Sequence, residues 1–116
     1  MGTVTYDGWA IEFEDRLLAH LHLVIVQRFR NGQSFAMSWL NALEDGDGRG
    51  SVWLHPGGLY FFRFAGSRTP AIDADWVKQL TASALSSQGL IVTTADGSLA
   101  RSLSLHRTDF WGRGNS

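Results

Sequence analysis

The segment Val4 to Phe13 constrains the chain more than any other. Asp7-Gly8 supplies the two positive-φ positions of a type I′ turn, and alternating residues flank it on both sides. A two-residue turn there pairs Tyr6 with Trp9 and Val4 with Ile11. That register puts Val4, Tyr6, Trp9, Ile11 and Phe13 on one face and Thr3, Thr5, Ala10 and Glu12 on the other. The first face is expected to be core and the second wet.

A helix is expected over residues 14–31. Glu14 or Asp15 starts it, Asn31-Gly32 ends it, and Arg28 and Arg30 suit the dipole of its last turn. Leu17, Leu18, Leu21, Val24, Ile25 and Phe29 form its apolar stripe. Three strand-like runs follow, Ser34–Leu40, Gly50–His55 and Leu59–Ala65, read together as an antiparallel meander. Phe35, Met37 and Trp39 share a face of the first, and Pro56-Gly57-Gly58 turns the second into the third. Asp73 N-caps a second helix with a stripe of Trp76, Val77, Leu80 and Ala84 and a stop at Gly89. Ile72 and Val77 stand at staple spacing. Leu90–Thr94 reads as a further strand, which Asp96-Gly97 could turn back through Leu99 to Leu105. Arg107–Ser116, with Phe110 and Trp111, reads as a loose tail.

The expected architecture is a single α+β domain. Its antiparallel sheet comprises the N-terminal hairpin, the three-stranded meander and a further strand, packed with two helices. Residues 1–95 form the domain and 96–116 a C-terminal extension. With 116 residues, 44% of them hydrophobic, the chain can bury one core. It has no cysteine, so thiolate metal sites and a Cys nucleophile are excluded. No apolar run reaches the roughly 20 residues of a membrane span, and MGTVTYDG is not a signal peptide, so a cytoplasmic location is expected.

No catalytic constellation emerges. Asp45, Asp47 and the glycines at 46, 48 and 50 suggest a calcium loop, but its twelfth position is Pro56. No Gly-Lys-Ser/Thr and no Gly-x-Ser-x-Gly occurs. His20 and His22 lie about 200° apart on a helix and cannot share a metal there; His20 is expected to face solvent and His22 to border the stripe. No metal or cofactor is expected. Arg16, His20, Gln27 and Arg30 fall within about 80° on the helical wheel, and Arg63 and Arg68 stand in or after an aromatic strand. Together the six are a candidate anion or nucleic-acid surface, set against plain solvation. A net charge of −1 argues against a dedicated DNA-coating protein.

In Leu59-Tyr60-Phe61-Phe62-Arg63-Phe64, Tyr60, Phe62 and Phe64 form the more apolar face and are expected inward. Leu59, Phe61 and Arg63 then project outward and form a candidate interface. Either a second copy or the 99–111 segment, with Leu103, Leu105 and Trp111, would cover it.

Met1 to Gly8, Asp15 to Leu21, Ser34-Phe35 with Ser38-Trp39, Trp53 to Pro56, Phe64 to Arg68 and Gln88 to Leu90 carry a resemblance. Over about residues 2–92 the chain resembles a family of short actinobacterial proteins commonly labelled "ATP-dependent DNA ligase". Such ligases form a lysyl-adenylate at Lys-x-Asp-Gly. Here the only lysine, Lys78, is followed by Gln79-Leu80-Thr81. The residues therefore favour a non-catalytic interaction module, with self-association through the Leu59 face. The alternative is a nucleic-acid accessory protein related to the label.

Overall fold

The computed structural model describes residues 1–108. Asp7 and Gly8 take φ of 54° and 83°, as a type I′ turn demands. They join β1 (Gly2–Tyr6) to β2 (Trp9–Phe13) in the register expected, Tyr6 opposite Trp9 and Val4 opposite Ile11. Val4, Ile11 and Phe13 are buried. Trp9 is not: it is 41% exposed, because it flanks the turn at the end of the sheet, where the Arg107 guanidinium lies 4.9 Å from its ring centroid. Ala10, on the face expected to be wet, is buried beside the last strand.

Helix α1 (Asp15–Arg30) buries Leu17, Leu18, Leu21, Val24 and Ile25 as its stripe predicts. It ends where expected: the N–H of Gly32 donates to the Phe29 carbonyl and that of Gln33 to the Arg28 carbonyl. There follow β3 (Phe35–Leu40), a single 3-10 turn at Leu43–Asp45, β4 (Arg49–Leu54), β5 (Phe61–Arg63), α2 (Ala74–Ala84), β6 (Leu90–Ile91) and β7 (Ser104–Arg107). The Asp73 carboxylate accepts from the N–H groups of Asp75 and Trp76, so the cap of α2 is as read. Ile72, ahead of the cap, stays exposed and lines a surface groove together with Val77.

The class is α+β, but the strands divide between two sheets. One has the order β5-β1-β2-β7 and the other β4-β3-β6. The meander stops at β4. Its third run leaves to pair antiparallel with β1, Val4 opposite Phe62. The reason lies in its aromatic face: Tyr60, Phe62 and Phe64 find their partners on α1. Phe62 stands 4.7 Å from the His22 ring, and Tyr60 5.4 Å from Phe29. The further strand, β6, runs parallel to β3, not antiparallel; the chain between them passes through β4, β5 and α2, and α2 packs against both strands.

Beyond β6 the Asp96-Gly97 turn forms, and Thr93 bridges Leu99. The chain then crosses from the second sheet to the first. Arg101 bridges Leu40, Leu103 N–H donates to the Glu12 carbonyl, and β7 pairs with β2. Phe110 and Trp111 lie outside the described residues. The core gathers Phe13, Leu18, Leu21, Ile25, Met37, Leu80, Leu90 and Val92, each fully buried. Burying such a side chain contributes roughly 1.5–3 kcal/mol. Among the described residues, no helix is long and apolar enough to cross a membrane.

Candidate interface and inter-sheet cleft

Alternation along β5 separates the aromatic run as its residue types suggest. Tyr60, Phe62 and Phe64 pack against the core. Leu59 and Phe61 project to solvent at 88% and 64% exposure, with Arg63 also exposed. Because β5 is an edge strand, this face adjoins a border of the sheet with no neighbouring strand among the described residues. The 96–108 segment joins at the opposite edge, through β7, which takes Leu103 and Leu105 away from β5, but its end reaches the candidate face, where Arg107 and Thr108 line a surface groove with Leu59 and Phe61. Trp111 lies outside the described residues.

The six candidate anion-site residues occupy separate places. Arg16 sits at the start of α1 with its guanidinium 5.4 Å from the Trp76 ring centroid. Gln27 and Arg30 are exposed near the other end of that helix. At a rise of about 1.5 Å per residue, Arg16 and Arg30 are about 21 Å apart along the axis. Arg63 projects from the sheet face opposite the one Phe62 presents to α1, and Arg68 belongs to the loop after β5. No single small anion could touch them all.

His20 is fully buried, not solvent-facing. The N-terminus of α2 covers it: Asp73 N–H donates to Nε2 at 2.9 Å, and the ring stacks on Trp76 with centroids 4.2 Å apart. Nδ1 is then the protonated nitrogen and donates to the Arg16 carbonyl at 2.7 Å. The histidine is a pin between the helices. Asp15 has a similar task at the surface, where its carboxylate accepts from Gly66 and Ala65 N–H groups and holds the loop after β5. Those two hydrogen bonds, Gly66's first, keep its carboxyl below the usual carboxylate range.

Sequence reasoning missed a cleft of about 370 Å³ between the inner faces of the two sheets. The hairpin contributes Val4, Tyr6 and Ile11, and the second sheet Met37, Trp39 and Val52. Tyr6 and Tyr60 stack at its side, 4.4 Å between centroids, and the Tyr60 hydroxyl accepts from His55 N–H at 3.0 Å. Burial pushes the Tyr60 phenol above its ordinary value, outweighing the His55 hydrogen bond. Trp39 lies flat across Gly50, its partner in the β3–β4 ladder; a Cβ on Gly50 would come 2.5 Å from the indole ring. The one available sequence signal was a glycine inside a strand, which marks close approach of another group. Among the described residues, no three His, Asp or Glu side chains gather in a way that could hold a metal ion.

The family model for a domain of unknown function, DUF7882, matches residues 1–95. The chain belongs to this family, and the matched part runs from the hairpin through β6. No curated protein and no solved structure matches it.

Proposed function

We propose that this chain is a non-catalytic interaction module that self-associates through the outward face of β5. One observation carries the reading: Phe61, on the edge strand of a sheet, and Leu59, just before that strand, stand in water at 64% and 88% exposure. An edge strand offers unpaired backbone groups, and a twofold axis beside β5 would set each Phe61 against its symmetry mate. Arg63 would then lie at the wetter rim of the contact.

The resemblance to proteins labelled as ligases supports a second reading, a nucleic-acid accessory role using Arg16, Arg30, Arg63 and Arg68. Adenylyl transfer lies outside both readings, because Lys78 lacks the Lys-x-Asp-Gly setting. Scatter of the arginines over distinct surfaces favours the first reading over the second.

Sedimentation velocity of the full chain at micromolar concentrations tests the proposal. A dimer that dissociates in Phe61→Asp, with unchanged circular dichroism, is the expected result. A wild-type monomer would refute it. A monomer that binds labelled oligonucleotide with a steep salt dependence would transfer the assignment to the second reading.

A further inference from the structure

We infer that the groove beside Leu59 and Phe61 is the docking place of this chain's own C-terminal end, through Phe110 and Trp111, and that this contact competes with a second copy. Competition presupposes self-association through the β5 face, whereas docking follows from the path of the chain alone. Antiparallel pairing sets Phe61, Thr5, Ala10 and His106 in one row across the outward face of the first sheet. Strand β7 runs toward the hairpin turn, where the Thr108 N–H donates to the Gly8 carbonyl at 2.7 Å. Thr108, the last described residue, therefore lies at the same end of the sheet as Leu59, and the two line one groove with Phe61 and Arg107.

Asp109 to Ser116 follow, and the large apolar side chains among them are Phe110 and Trp111, at the near end. Three extended residues carry the Trp111 Cα at most about 10 Å beyond Thr108. Strand β5 lies three strand spacings from β7, about 14 Å away, and the length of an indole side chain closes the difference. Within that reach Leu59 and Phe61 offer two aromatic rings an apolar surface otherwise left in water. A short tether holds such a segment at an effective concentration in the millimolar range, far above that of a second copy in micromolar solution. Release of the tail is thus the step that opens the β5 face for pairing. A tail docked about two-thirds of the time leaves each protomer open for about a third, and since both must open, the dimer constant weakens about ninefold.

Two measurements on the full chain test this. In the first, the tryptophans carry 5-fluoro labels, and the Trp111 ¹⁹F line, identified by its loss in Trp111→Phe, is followed at concentrations where sedimentation shows only monomer. Leu59→Ser, a change at an exposed position, should move that line toward its position in the urea-unfolded chain and leave the lines of buried Trp39 and Trp76 in place. In the second, sedimentation compares wild type with the double variant Phe110→Ser, Trp111→Ser, which should dimerise about ninefold more tightly. A Trp111 line unmoved by Leu59→Ser would overturn the docking, whatever the state of association. Equal dimer constants in the two chains would overturn the competition. A moving Trp111 line with monomers at every concentration would uphold the docking and refute self-association alone.

Discussion

Replacing His20 by phenylalanine isolates the polar role of the pin between α1 and α2. The phenyl ring keeps most of the volume and the stack on Trp76, so little packing is lost. What goes is the acceptor for Asp73 N–H, 2.9 Å away in the wild type, and the bond to the Arg16 carbonyl. The Arg16 carbonyl stays within a helix, whereas the Asp73 N–H is left covered by hydrocarbon. An unsatisfied buried donor costs about 1–3 kcal/mol. For a chain of this size a urea m-value of about 2 kcal/mol per molar is reasonable, so a loss of about 2 kcal/mol lowers the midpoint by about 1 M. His20→Ala removes the stack too and should cost about 2–5 kcal/mol, as large-to-small core changes do. Equilibrium urea unfolding followed by tryptophan fluorescence measures both. The amide of Asp73 should also exchange faster in His20→Phe. A midpoint for His20→Phe indistinguishable from wild type would show that the ring acts by packing alone and that the hydrogen bond to α2 adds nothing.

Two further perturbations test other parts of the fold. Gly8→Val places a β-branched residue at φ 83° and should lower stability by about 1–2 kcal/mol or more, while Gly8→Asn should lose less; an unchanged denaturant midpoint for the valine variant would remove the hairpin turn from the account. The Asp96 carboxylate accepts from the Thr94 hydroxyl and Ser98 N–H, which lowers its pKa from 3.8 to about 2. Its stabilising contribution is therefore complete above the unfolded value near 3.8 and is lost as pH falls through about 2. Asp96→Asn should melt below wild type at neutral pH and converge with it in strong acid, and melting curves that stay parallel across that range would contradict the assignment.

The parts of this fold that were legible in the sequence are those fixed by neighbours along the chain. The β1–β2 register follows from two turn residues and a period of two. The α1 stripe and the Asp73 cap likewise depend on spacings of four residues or fewer. The rest depends on which surfaces meet. His20 lies on the helical wheel beside Arg16, so the wheel alone places it in water; only the arrival of the α2 N-terminus buries it. The run at residues 59–65 announced which of its faces was the more apolar, but not that α1 would draw it into the other sheet. The cleft needed both sheets before it existed. Along the sequence Trp39 looks like an ordinary core aromatic, and Gly50, a glycine in a strand, signals a close approach without saying of what.

The pairing of β7 with β2 gives the molecule a particular order of events during synthesis. Trp9 to Glu12 leave the ribosome well before their partners Ser104 to Arg107. Until β7 has emerged, the hairpin carries an open edge that another nascent chain could extend. Contacts separated by so much sequence also form slowly once the chain is free. The segment that ends this exposure begins after residue 95, beyond the stretch matched by the family model. A chain cut at that boundary would hold all of the matched domain and still keep its first sheet unfinished.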